Sequence, residues 1–304
     1  MPAMLPMLAT PALLAHTADL NLVIRYVLAG LGHGIHAGRE RGAGVEFSEY
    51  RAYVPGDEWR RVDWKLLARA DRYFVREAER DSHVAVWLWL DASASMAEPS
   101  RSVAGLDKLH YARLLLACVA AIAQRQGDAF GLIVCGADRV ALTPATRGPR
   151  QLRRVLAQLS RTEAAGRLPP SDTLRASLHF ARAPSLIFAV SDFLDWPSAQ
   201  SEALLRLRHM GHDVRALCLQ TEAECDAGFA AGSVWRDPEE RGEHGSGLFS
   251  FDAQARAAYL QSRADHFANM SADCRRSDIR HLEARIEQGL PSVLRAWLRQ
   301  AGRA

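Results

Sequence analysis

The chain has 304 residues, of which 48% are apolar and 24% charged, with a formal charge of +3. That balance excludes a disordered or fibrous protein, and the small net charge decides little about partners. The length suffices for one large α/β domain with an appendage or for two small domains. Five cysteines (Cys118, Cys135, Cys218, Cys225 and Cys274) form no C-x-x-C pair, and three fall in apolar patterns. Buried free thiols in a reducing compartment are expected.

Met4 to Leu14 is apolar but is interrupted by Pro6 and Pro11, and no Lys or Arg precedes Arg25. It lacks the basic start of a signal peptide. Elsewhere the longest unbroken apolar runs, such as Val84 to Leu90, are far shorter than the roughly 20 residues a membrane helix needs. No membrane span is expected, and the location expected is cytoplasmic.

In chain order, residues 17–29 predict a short helix stopped at Gly30, followed by a Gly-rich loop to Gly44. Residues 45–81 are dense in charges and aromatics and follow no clean period. Val84 to Leu90 then reads as a strand buried on both faces of a parallel sheet, ending at Asp91. Asp107 is placed to cap a helix that runs to a stop at Gly127. Residues 130–135 and 140–143 predict two strands joined by a tight turn, an antiparallel edge pair.

Helices are expected near 149–159 and 173–181. A second buried strand, Ser185 to Val190, also leads into an acid, Asp192. A helix over 198–210 precedes a strand over 214–219. Residues 225–251 resemble a hairpin insertion with Val234-Trp235 and Leu248-Phe249 as arms. A helix over 252–274, a strand over 279–282 and a helix over 291–300 complete the chain. Strands alternating with helices predict an α/β fold, a doubly wound, mostly parallel, Rossmann-like sheet with right-handed crossovers and one antiparallel edge strand. The chain divides on this reading into residues 1–41, a charged segment over 42–82, and the α/β domain over 83–304.

Ligands of such sheets bind beyond the carboxyl ends of the strands, where strand order reverses. Both acid-terminated strands end there. Asp91, Ser93 and Ser95 alternate along the loop Asp91-Ala92-Ser93-Ala94-Ser95-Met96, so an extended backbone turns three oxygens toward one point. Such a set suits Mg²⁺, with Mn²⁺ or Ca²⁺ as alternatives, because hard cations take oxygen ligands. Hydroxyl ligands are neutral and, if the carboxylates act through water, leave the metal positive charge with which to hold a partner's carboxylate. The competing reading is that Asp-x-Ser-x-Ser turns the chain and caps the next helix.

These residues resemble the metal-ion-dependent adhesion site of von Willebrand factor A domains. The preceding segment narrows the likeness. Glu46-Phe47-Ser48-Glu49-Tyr50-Arg51-Ala52-Tyr53-Val54-Pro55-Gly56-Asp57-Glu58, then Arg61-Val62-Asp63-Trp64 and Ala68-Arg69, looks like the signature of a bacterial family catalogued as domain of unknown function 58. The resemblance covers the chain from about Gly42 onward. It implies a von Willebrand A fold and a working relationship with MoxR-type AAA+ ATPases, as an adaptor or co-chaperone. Carried over by position, Asp91, Ser93 and Ser95 match the first motif and Asp192 the later acid. The middle motif usually supplies a Thr before a helix, and here Ser171, Asp172 and Thr173 stand in succession. Thr173 matches by residue type, whereas an Asp172 ligand would weaken the pull on a partner's carboxylate.

Between Asp57 and Asp81 seven basic and seven acidic residues cancel. Nucleic-acid binding is therefore not expected there, and a salt-bridged segment anchored by Tyr53, Trp59 and Trp64 is. Residues 147–167 are lopsided, with Arg147, Arg150, Arg153, Arg154, Arg161 and Arg167 against Glu163 alone. This run reads either as a solvated helix face or as a partner surface. His33 and His36 lack companions at zinc-like spacing. Three functions follow for test: a non-enzymatic Mg²⁺-dependent interaction module, a Mg²⁺-dependent phosphohydrolase, or a structural protein with a vacant metal site. The phosphohydrolase reading expects a second acid two residues after Asp91, where Ser93 stands.

Overall fold

A computed structural model describes residues 19–31, 49–52, 73–77, 84–180, 183–229, 234–235, 239, 249–250 and 252–299. The chain forms two compact units, residues 34–83 and the remainder, 1–33 with 84–304. In chain order the elements are α1 (Leu20–Leu31), β1 (Glu49–Ala52), β2 (Phe74–Glu77), β3 (Ala85–Asp91), a 3-10 turn over Ala94–Ala97, α2 (Lys108–Gln126), β4 (Phe130–Gly136), β5 (Arg139–Thr146), α3 (Pro149–Arg161), α4 (Ser171–Ser177), β6 (Ser185–Ser191), α5 (Ala199–His209), β7 (Asp213–Gln220), α6 (Glu222–Asp226), β8 (Val234–Trp235), β9 (Phe249–Ser250), α7 (Ala253–Arg276), β10 (Arg280–Arg285) and α8 (Leu290–Arg299).

The larger unit is built on a six-stranded sheet of order β10-β7-β6-β3-β4-β5. Every pairing is parallel except β4 with β5. The expected doubly wound α/β sheet with one antiparallel edge strand is therefore present. Period-two alternation sorts each central strand between two cores. Val86, Leu88 and Leu90 of β3 join Phe130, Leu132, Phe188 and Val190 against α1, α2, α3 and α8. Trp87 and Trp89 join Ile133, Ile187, Ala189 and Val214 against α4, α5 and α7. Burial on both faces is why β3 and β6 read as continuous apolar runs.

Helix boundaries follow local chemistry. Asp107 caps α2, its carboxylate accepting from the His110 N–H at 2.6 Å. Gly127 closes α2 at φ 78°, a left-handed conformation suited to glycine. Pro149 stands in the first turn of α3, where its missing N–H has no helical partner to lose.

Several expectations need correction. Helix α4 begins at Ser171 rather than at Thr173. The short helix α6 was not expected. The hairpin arms pair as Val234 with Ser250 and Trp235 with Phe249, one residue beyond the expected second arm. Helix α1 extends past Gly30, and its Leu20, Val23, Ile24, Val27 and Leu28 belong to the core of the larger unit. In the smaller unit, the segment without a clean period holds β1 and β2, paired antiparallel from Glu49 with Glu77 to Ala52 with Phe74. Met4 to Leu14, His33, His36, Tyr53, Trp59, Trp64 and the family signature except residues 49–52 lie outside the described residues. Among the described residues no helix is long and apolar enough to cross a membrane.

The end of β4 presses on the loop that leaves β3. A Cβ added at Gly136 would stand 2.4 Å from the Ala92 carbonyl oxygen and 2.7 Å from its carbon. Backbone atoms cannot swing aside as a side chain can, so Gly136→Ala must displace the loop. We expect this substitution to destabilise the protein by ~1–3 kcal/mol, measured as a lower urea midpoint with unchanged slope.

Candidate metal site

Strand β3 lies between β4 and β6, so strand order reverses at its carboxyl end. The first crossover runs to one side and the later strands fill the other, which opens a crevice above β3 and β6. Asp91 ends β3 and Asp192 follows β6. With Ser93, Ser95, Leu168, Leu194, Asp195 and Glu239 they line a cavity of about 280 Å³.

Asp91 is fully buried. Its Oδ1 accepts from the Ser93 N–H at 2.8 Å and from the Ser93 hydroxyl at 2.7 Å. Its Oδ2 accepts from the Ser191 hydroxyl at 2.5 Å. Ser95 Oγ lies 3.1 Å from Ser93 Oγ, which brings the three expected oxygen donors of the loop together. Among the described residues all the donors to Asp91 are neutral. Burial first, and then the nearby Asp192 carboxylate, push the Asp91 pKa from its ordinary 3.8 up to about 7, against the lowering effect of the Ser191 and Ser93 hydrogen bonds.

Asp192 is also buried, but it has a cation. Its Oδ2 accepts from Lys108 Nζ at 2.7 Å, and Lys108 reaches Glu224 Oε1 at 2.9 Å. The backbone directly after Asp192 is strained: Phe193 has φ 52°, a left-handed conformation that is costly for a bulky residue. Its N–H donates to Ser191 Oγ at 2.9 Å, its ring packs edge-on against Trp196, and its carbonyl lies 2.9 Å from His266 Nε2.

The loop over 162–170 braces the site through its backbone. Ala165 N–H donates to the Ala92 carbonyl at 2.9 Å, and Ala94 N–H donates to the Gly166 carbonyl at 2.9 Å. The structure does not bring Asp172 or Thr173 into the cavity. Pro170 precedes the first turn of α4 and both residues project outward from that turn. The Asp172 side chain is 97% exposed and stands 3.8 Å from Arg175. Ser171 lines a different groove, between α4 and α5. Arg147, Arg150, Arg153, Arg154, Arg161 and Arg167 are all exposed along α3 and its flanks.

Residues that sequence reasoning passed over are Ser191, Asp195, Lys108 and Glu224. Lys108 did leave a signal, since it shares a helical stripe with Tyr111, Ala112 and Leu115, all buried.

These residues fit a divalent oxygen-loving cation. Asp91 is a buried carboxylate with neutral donors only, beside a second carboxylate. Ser93 directs its hydroxyl proton at Asp91, leaving an oxygen lone pair for other use. Among the described residues no three His, Cys, Asp or Glu are grouped to hold a metal ion, so a cation here would have to draw on hydroxyl oxygens, as Mg²⁺ can.

The family described as Protein of unknown function DUF58 matches residues 49–269. Uncharacterized proteins of Mycobacterium tuberculosis (Rv1480) and Mycobacterium bovis (Mb1516) are each 27% identical over 274 residues, 87% of this chain and 82% of theirs. Among solved structures, the conserved hypothetical protein BatB from Bacteroides thetaiotaomicron is 14% identical with a TM-score of 0.43, over 71% of this chain and all of that one. The SpRpn10 VWA domain is 10% identical with a TM-score of 0.40, over 69% of this chain and 93% of that one.

Because folded Asp91 holds its proton more tightly than unfolded Asp91, its contribution to stability falls as pH rises from about 4 to about 7. Asp91→Asn removes that buried charge and keeps the shape. In chelator at pH 8 we expect this variant to be more stable than the parent by at least ~1 kcal/mol, with the difference vanishing near pH 4 in urea denaturation.

Proposed function

The chain belongs to the DUF58 family, and on that premise we propose that it is a non-enzymatic, Mg²⁺-dependent protein-interaction module of the von Willebrand A type. Asp91, Ser93, Ser95 and Asp192 are the residues that would hold the cation, and the cation would supply an electrophilic contact for a carboxylate on the partner. The observation that carries this reading is the buried Asp91 carboxylate, surrounded by neutral donors and opening on a cavity that also exposes hydroxyl oxygens. A buried charge without a counter-charge is costly, and a divalent cation removes that cost.

The partner class implied by the family resemblance is a MoxR-type AAA+ ATPase or its client, with this chain as adaptor or co-chaperone in the cytoplasm. An acidic partner surface suits the exposed arginines of α3, because the loop that continues from α3 braces the metal loop directly. A phosphohydrolase is the weaker reading. Ser93 stands where that chemistry needs a second acid, and its hydroxyl proton is committed to Asp91. A structural protein with a vacant metal site is the reading that holds if no cation binds.

Isothermal titration with Mg²⁺ tests the proposal. The intact protein is expected to bind Mg²⁺, and Asp91→Ala with Ser93→Ala is expected to lose binding and to lose copurification with the ATPase. No Mg²⁺ binding by the intact protein, or phosphatase activity abolished by Asp91→Asn, would count against it. Replacing Arg150, Arg153 and Arg154 together by Gln should weaken partner capture about tenfold at low salt and less at high salt, while Mg²⁺ affinity stays within about twofold of the parent.

A further inference from the structure

Lys108 is the first residue of α2, and its side chain is fully buried. Its ammonium is shared between Asp192 Oδ2 at 2.7 Å and Glu224 Oε1 at 2.9 Å. Glu224 is itself pinned. Its Oε2 accepts from the Thr221 N–H at 2.6 Å and the Thr221 hydroxyl at 3.0 Å, and the Tyr259 hydroxyl donates to its carbonyl at 3.0 Å. Asp192 Oδ1, by contrast, takes only a long 3.4 Å contact from the Leu194 N–H. The triad thus joins the start of α2, the residue after β6 and the first turn of α6.

A lysine fully withdrawn from water is an expensive way to join three elements, since apolar packing does that as well or better. Its position against Asp192, one of the two acids proposed to hold the cation, points to another task. We propose that Lys108 is a positioning residue that sets the charge Asp192 presents to a bound cation, and that Glu224 sets how much of the ammonium Asp192 receives. The proposal rests on the metal reading above.

The physical consequence is a division of labour between two carboxylates. Among the described residues Asp91 has only neutral donors, so no ammonium or guanidinium shares it with a bound cation. Asp192, half-neutralised by Lys108, meets it with less charge. A divalent cation in this cavity is held less tightly than two free carboxylates would hold it, and it keeps more positive charge for an external carboxylate. Lys108 exchanges metal affinity for partner affinity.

Opposed variants separate this role from a merely structural one. Glu224→Gln leaves the ammonium to Asp192 alone, so Mg²⁺ affinity measured by titration of the full chain is expected to fall at least threefold. Lys108→Met combined with Glu224→Gln frees Asp192, and Mg²⁺ affinity is expected to rise at least tenfold above that of Glu224→Gln. In the Mg²⁺-loaded double variant, acetate used as the carboxylate probe is expected to bind at least threefold more weakly than to the loaded parent.

A structural role would lower the unfolding midpoint of both variants and move Mg²⁺ affinity in the same direction, or not at all. Either result overturns the proposal. If the double variant does not fold, Glu224→Gln decides alone, and unchanged or tighter Mg²⁺ binding overturns it. A parent protein that binds no Mg²⁺ overturns the metal reading and this proposal together. A parent that binds with variants that do not diverge overturns this proposal only.

Discussion

The structure depends on a carboxylate that has been taken out of water and given no positive neighbour of its own among the described residues. Asp91 sits at the end of the central strand β3, fully buried, with hydroxyl and amide hydrogens as its donors. The sheet places it there: β3 is flanked by parallel neighbours on both sides, so its last residue is enclosed by the ends of β4 and β6. The cost of that burial shows in the upward push on its pKa. Above about pH 7, where a proton no longer removes that cost, a divalent cation would.

The surroundings maintain this arrangement from several directions. Gly136 lets the end of β4 approach the Ala92 carbonyl closely, and the loop after α3 bonds to the backbone on both sides of Ser93. Ser191 turns Asp91 from the neighbouring strand, and strain at Phe193 fixes the chain just after Asp192. Each contact is local, but together they hold hydroxyl and carboxylate oxygens around one cavity. Preorganisation of this kind favours binding, because little ordering remains to be done when a ligand arrives.

Much of the fold was legible because buried parallel strands announce themselves as unbroken apolar runs, as Val84 to Leu90 and Ser185 to Val190 do. The Asp-x-Ser-x-Ser loop was legible for the same reason, since it begins where such a run stops. The rest was hidden by tertiary context. Strands β1 and β2 are four residues each within charged text, too short for a period to show. Thr173 and Asp172 looked like ligands by type, but Pro170 starts α4 early enough to turn both outward, and residue type carries no information about that direction. Lys108 escaped notice because a lysine in a first helical turn is ordinarily a solvated surface charge. Only the register of its helix and the two distant acids Asp192 and Glu224 reveal otherwise.

Crystals of the protein grown with Mn²⁺ test the central claim most directly, through the anomalous signal of the metal. The account predicts a single strong peak in the cavity within bonding distance of Asp91, Ser93 and Ser95, and its disappearance in crystals of Asp91→Ala. Ordered density for a Mn²⁺-free cavity at millimolar Mn²⁺, with Asp91 bonded only to its serine donors, would contradict it.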